Sequence, residues 1–128
     1  MKLLIDTHLL LWAAASPERL SDAAMALMAD PDNAPHFSVA SLWEVVIKSS
    51  LGREDFQVDA ARLRRGLVDN GYTELPITAG HAIAVADLPH LHRDPFDRIL
   101  IAQARYEGLL LLTADTRITD YDGPIRLV

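Results

Sequence analysis

The sequence predicts an α/β fold with a central, mainly parallel sheet of about five strands. Short apolar runs alternate with helical stretches along the whole chain, the pattern of strand–crossover–strand units. Two of those runs, Lys2–Ile5 and Leu109–Thr113, are apolar almost throughout, as expected of central strands covered on both faces. Four acids, Asp6, Glu44, Asp97 and Asp115, stand where predicted strands end or helices begin.

Taken in order, strand one is Lys2–Ile5, and a helix follows from Thr7 to Ala15, stopped by Ser16-Pro17. A second helix starts after Ser21 as N-cap and ends near Asp30-Pro31. Strand two is Pro35–Val39, and the next helix, Ser41–Ser50, ends at Leu51-Gly52 as a glycine C-cap. Residues 52–58 read as a loop, followed by a helix from Asp59 to Asn70 that Gly71 closes. Strand three, Glu74–Ile77, leads to a short helix after Thr78, and Leu88–Arg93 reads as an irregular loop. Asp94-Pro95 opens the last helix, with aspartate as cap and proline at the first helical position, and Gly108 ends it. Strand four is Leu109–Thr113 and strand five Pro124–Val128. No repeat, linker or low-complexity tract interrupts the chain, so residues 1–128 are expected to form one domain.

With 128 residues, half of them apolar and 23% charged, the composition is that of an ordinary globular domain. The absence of cysteine excludes disulfides, zinc–thiolate sites and cysteine nucleophiles, and fits a reducing compartment. No apolar run nears the roughly 20 residues of a membrane span, and Met1-Lys2-Leu3-Leu4-Ile5-Asp6 reaches a charge too soon for a signal peptide. A cytoplasmic protein is expected. The net charge of −6 argues against a general nucleic-acid coat protein, which works by neutralising phosphates. It leaves a nuclease open, because a bound cation supplies positive charge locally.

If the strands run parallel, the four acids converge on one sheet edge, where open α/β sheets bind ligands. Crowded carboxylates repel one another unless protonated or bridged by a cation. Magnesium and manganese prefer such oxygen donors, and orient water and stabilise phosphoryl charge. Each acid also has a plain structural reading. Ser41-Leu42-Trp43-Glu44 matches a capping box, Asp97 sits where an acid favours the helix dipole, and Asp6 and Asp115 have N-cap positions.

At four places the chain resembles the PIN domain, most closely the VapC toxins of bacterial type II toxin–antitoxin pairs. These are Leu4-Ile5-Asp6-Thr7-His8, Ser41-Leu42-Trp43-Glu44, His92-Arg93-Asp94-Pro95-Phe96-Asp97-Arg98 and Leu112-Thr113-Ala114-Asp115. The resemblance implies a three-layer α/β/α fold and a metal-dependent endoribonuclease, with Mg2+ as cofactor, Mn2+ able to substitute, and one or two ions bound. It makes Asp6, Glu44, Asp97 and Asp115 the metal-binding and catalytic acids. Thr113 supports them, and Asp94 is a further member whose cap role already explains it. It also implies hydrolysis leaving a 5′-phosphate and a 3′-hydroxyl, a VapB-like antitoxin partner and a homodimer.

Other residues have two readings each. Arg93, Arg98 and Arg117 flank the acidic segments and either grip RNA phosphates or pair with neighbouring acids. Trp12 and Trp43 are either core residues or walls of a groove for an antitoxin tail. Lys48 lies one helical turn after Glu44, where an ion pair is expected. The five histidines show no helical pair typical of zinc hydrolases. A receiver-type signalling domain needs a lysine at a late strand end, but the only lysines are Lys2 and Lys48. An Asp-x-Asp phosphatase is disfavoured by His8. The surviving alternative to the enzyme is a catalytically inactive PIN-like module that binds RNA or protein.

Overall fold

The computed structural model describes residues 1–128. Five strands, β1 (Lys2–Ile5), β2 (Ala34–Ser38), β3 (Thr73–Leu75), β4 (Leu110–Thr113) and β5 (Ile125–Leu127), form one sheet. Its order is β3-β2-β1-β4-β5, and every neighbouring pair is parallel. The helices are α1 (Thr7–Ala15), α2 (Asp22–Ala29), α3 (Val39–Ser49), α4 (Ala60–Asp69), α5 (Ala79–Ala84) and α6 (Pro95–Glu107). No helix is long and apolar enough to cross a membrane.

Side chains alternate across a strand with a period of two, and the central strands use both faces. Leu3, Ile5 and Leu112 pack on one side with Leu9 and Leu10 of α1, Val45 of α3, and Leu63 and Leu67 of α4. Leu4 and Leu111 pack on the other with Leu100, Ile101 and Ala104 of α6. Two cores around one sheet make three layers, as the sequence pattern implies. Burying each such leucine contributes roughly 1.5–3 kcal/mol before chain entropy is counted.

The strand order reverses at the centre. From β1 the chain winds outward through β2 to β3, then crosses back to β4 on the opposite side of β1. The switch point thus lies between β1 and β4, and their carboxyl ends border a crevice that no crossover covers.

The helix boundaries follow local signals with two exceptions, and β3 runs Thr73–Leu75, two residues short of the expected end at Ile77. Ser21 caps α2 by accepting from the Ala24 N–H at 3.0 Å, and Asp59 caps α4. Gly108 closes α6 in the left-handed conformation at φ 68°, which a side chain would resist. The first exception is the start of α3. It begins at Val39 because Ser38, not Ser41, accepts the capping bond from the Ala40 N–H at 3.0 Å. The second is its end, where Ser50 is the C-cap and Gly52, at φ 75°, follows two residues later. Three single-turn 3-10 segments, Pro17–Arg19, Val85–Asp87 and Ile118–Asp120, fill stretches that carry no helical period.

Ser38 does a second job. Its hydroxyl donates to Gln103 Oε1 at 2.6 Å, and Gln103 Nε2 donates to the Pro76 carbonyl at 3.3 Å. This buried link fixes the start of α3 against α6, the two helices that carry Glu44 and Asp97.

Candidate metal centre

Asp6 is the first residue beyond β1. Its N–H continues the ladder to the Leu112 carbonyl at 3.0 Å, so its position is set by β4. Although it occupies the N-cap position of α1, its side chain makes no capping bond. The carboxylate turns instead to Thr113, whose hydroxyl donates to Oδ2 at 2.8 Å. Thr113 Oγ1 in turn accepts from the Asp115 N–H at 3.0 Å. One buried hydroxyl therefore holds both strand ends together.

Glu44 arrives from the side. Because Ser38 caps α3, Glu44 lies in the second turn and the capping-box reading fails: its carboxylate never meets the cap. It is only 3% exposed. Thr7 Oγ1 lies 2.8 Å from both Glu44 Oε1 and Ser41 Oγ. Carrying one proton, Thr7 donates to the carboxylate, which can only accept. Lys48 Nζ approaches Oε2 at 2.5 Å. Sequence reasoning misses Thr7 and Ser41 as Glu44's supports. The available signals are the adjacency of Thr7 to Asp6 and the i,i+3 spacing of Ser41 and Glu44 on one helix face.

Asp97 is the third residue of α6, where Asp94 caps the helix by accepting from the Phe96 and Asp97 N–H groups at 2.9 and 3.3 Å. Its carboxyl is pushed up from 3.8 to about 7, first by burial and then by the charges of Asp94, Asp6, Glu44 and Asp115. Asp6 is also raised, mainly by burial, with Glu44 adding to it while the Thr113 bond and His8 oppose it. Asp115 is lowered, because the Arg117 guanidinium grips it with Nη2 at 2.9 Å and Nε at 3.2 Å. The structure thus brings all four sequence-predicted acids, and Asp94, within electrostatic reach of one another.

Electrostatic reach exceeds ligation distance. As the side chains stand, no three of them converge tightly enough to ligate one ion. Glu44, Asp6 and Asp115 are each turned toward a donor of the chain's own. The donor set is nevertheless all oxygen, anionic and short of counter-charge around Asp97, which suits a hard divalent ion and not zinc held by thiolate or imidazole. Three histidines lie elsewhere: His81 is buried in the cap of α5, His36 meets backbone carbonyls and His92 faces Asp120. His8 is exposed beside Asp6.

A family model described as the PIN domain matches residues 3–124. The chain belongs to the PIN-domain family. The comparison with curated proteins returned no match. Among solved structures, this PIN domain is similar to VapBC2 from Rickettsia felis bound to a DNA fragment from its promoter. The TM-score is 0.68 at 14% identity, over 95% of this chain and 100% of that one. A toxin–antitoxin complex from Klebsiella pneumoniae gives 0.64 at 22% identity, over 97% and 95%. VapBC-5 from Mycobacterium tuberculosis gives 0.64 at 20% identity, over 99% and 97%. At these identities the likeness is one of fold.

Around the acids of this PIN domain the arginines divide. Arg98 is 8% exposed and its guanidinium donates to the Pro89 carbonyl at 2.8 Å, Tyr121 Oη at 3.1 Å and the Val85 carbonyl at 3.3 Å. These bonds fasten a loop and commit the guanidinium to carbonyls and a phenol, not to a neighbouring acid. Arg117 is committed to Asp115, while Arg93 is exposed. The tryptophans divide as well. Trp12 lies half-buried beneath Arg19, 5.1 Å from its ring centre, in a cleft between α1 and α4 with Leu63 and Tyr72. Trp43 is 58% exposed and stands edge-on to Phe96 at 5.3 Å. It walls a separate cavity of about 380 Å³ with Ile77, Val85 and Ile99. Core packing therefore does not account for Trp43, and the two rings line different cavities.

Proposed function

We propose that this PIN domain is a VapC-like endoribonuclease, the toxin of a type II toxin–antitoxin pair, and that it hydrolyses RNA phosphodiester bonds with Mg2+. The observation that supports it most is the gathering of Asp6, Glu44, Asp97 and Asp115 at the β1/β4 switch point, where burial first and the neighbouring carboxylates second raise the Asp97 carboxyl to about 7. The family match over residues 3–124 agrees with it, and the structural likeness to proteins described as toxin–antitoxin complexes suggests the partner.

A divalent cation bound by these acids supplies Lewis-acid polarisation and charge neutralisation for attack of water at phosphorus. The residues that would hold it are Asp6 and Asp97, with Glu44 and Asp115 placing water or a second ion. Thr113 and Thr7 orient Asp6 and Glu44, so that two of the four carboxylates are fixed before any ligand arrives. Asp94 keeps the first turn of α6 in place under Asp97. In-line cleavage of the P–O3′ bond leaves a 5′-phosphate and a 3′-hydroxyl. RNA as substrate, a VapB-like antitoxin against Trp12 or Trp43, and a homodimer complete the reading.

The competing reading is a non-catalytic binding module, favoured by one observation: each acid except Asp97 has a donor within the chain. Incubating the protein with single-stranded RNA in Mg2+, Mn2+ or chelator, beside the Asp6→Asn variant, separates the two. Cation-dependent cleavage with 5′-phosphate ends, absent from the variant, is expected. Equal loss of RNA in all lanes, or none in any, would leave the binding module.

A further inference from the structure

Glu44 and Lys48 form an uneven pair. They lie one turn apart on α3, with side chains 4% and 38% exposed respectively. An ordinary surface pair at this spacing contributes a few tenths of a kcal/mol and is readily screened. Here one partner is a buried carboxylate whose other oxygen is already taken by Thr7, so the ammonium is what neutralises it.

The distribution of counter-charge around the pocket is also uneven. Arg117 serves Asp115 and Lys48 serves Glu44, while no arginine or lysine bonds to Asp6 or Asp97. Lys2, the other lysine, sits at the start of β1, the end of that strand far from Asp6. A cation entering the pocket would therefore find two acids that no lysine or arginine holds and two that the chain's own cations do. The ammonium at 2.5 Å from Glu44 Oε2 puts a full positive charge beside any second cation that this carboxylate would bind. Like charges so close repel, and the Lys48 stem, partly in solvent, is the part free to move.

We propose that Lys48 is a built-in counter-ion of Glu44 that competes with a divalent cation for its carboxylate. This rests on the metal-site reading above and adds to it a residue that sets how tightly the site closes. Lys48 is a positioning residue: it acts on the site through Glu44. Its removal leaves Glu44 buried with Thr7 as its one side-chain donor, and takes a unit positive charge from the edge of the pocket. The cation-free protein then loses stability, and the cation gains affinity. A role confined to the last turn of α3, where a basic residue favours the helix dipole, predicts the stability loss alone.

The test is calorimetric titration of chelator-treated protein with Mn2+ at about pH 8, above the Asp97 value, so that proton competition is small. Wild type, Lys48→Met, Lys48→Gln and Lys48→Arg are compared, with thermal melts of each with and without Mn2+. The expected result is uptake by wild type and roughly tenfold tighter uptake by Lys48→Met and Lys48→Gln, the scale set by removing one nearby charge in a partly solvated site. Lys48→Arg should stay near wild type. The two neutral variants should melt lower than wild type without Mn2+ and gain more from it. Should wild type take up Mn2+ and both neutral variants bind it equally or more weakly, the counter-ion role is overturned and the metal site stands. Should wild type take up none, the metal site itself falls, and this inference with it.

Discussion

The Thr113 hydroxyl donates to Asp6 Oδ2 at 2.8 Å across 107 positions of sequence, with both groups buried. The bond exists because β1 and β4 pair in parallel with Ile5 opposite Leu112, which places their next residues side by side. Thr113→Val keeps the shape and removes the donor. The Asp6 carboxylate and the Asp115 N–H each lose a partner, at a cost of about 1–3 kcal/mol. A melt that drops by several degrees, with weaker Mn2+ uptake, is expected; an unchanged melt would show that Asp6 is oriented by something else.

Asp6→Asn tests charge with little change of shape. The amide oxygen still accepts from Thr113, while one of the mutually repelling charges disappears. We expect RNA cleavage to fall at least about a hundredfold, as loss of an essential electrostatic group does, with the cation-free melt equal to or above wild type. Paired cleavage and melting measurements check it. A lower melt would mean that Asp6 is chiefly a structural residue.

How these residues reach their places explains which of them are legible in the sequence. Asp6, Asp115 and Asp94 follow from strand ends and a cap-proline signature, which are local. Glu44 is legible as a candidate acid, but its capping-box reading is wrong, because the cap is Ser38 and strand pairing, not local sequence, sets where β2 ends and α3 begins. Thr7 touching Glu44 depends on α1 meeting α3, a tertiary event with no local trace. Arg98 stands next to Asp97 in sequence, yet the helix turns it about 100° away, toward carbonyls of the preceding loop.

Asp97 makes the cation-free protein sensitive to pH. Its folded value, about 7, lies above the unfolded 3.8, so the native state binds the extra proton between those values. Stability is therefore greatest at the low end of that window and is lost as pH rises through about 7. Melts from about pH 4.5 to about pH 8 should fall with rising pH by more in wild type than in Asp97→Asn, and saturating Mn2+ should flatten the wild-type curve. Parallel curves for the two proteins would remove Asp97 as the source.

Arg98 and Arg93 separate fold from RNA binding. Arg98→Ala strips donors from the Pro89 and Val85 carbonyls and from Tyr121, and opens space beneath the loop before α6. A loss of about 3 kcal/mol is expected, since partly buried acceptors are left unpaired. Arg93 is exposed on the lip of the cavity beside Trp43, and Arg93→Ala should shift stability by no more than about 0.5 kcal/mol. If Arg93 meets a phosphate, that variant binds single-stranded RNA more weakly. Its log–log salt dependence should then be shallower by about 0.7 for each phosphate left without its counter-charge, whereas binding by refolded Arg98→Ala keeps the wild-type slope. Filter binding of the Asp6→Asn background across a salt series measures both, and equal slopes for all three proteins would take Arg93 out of the RNA path.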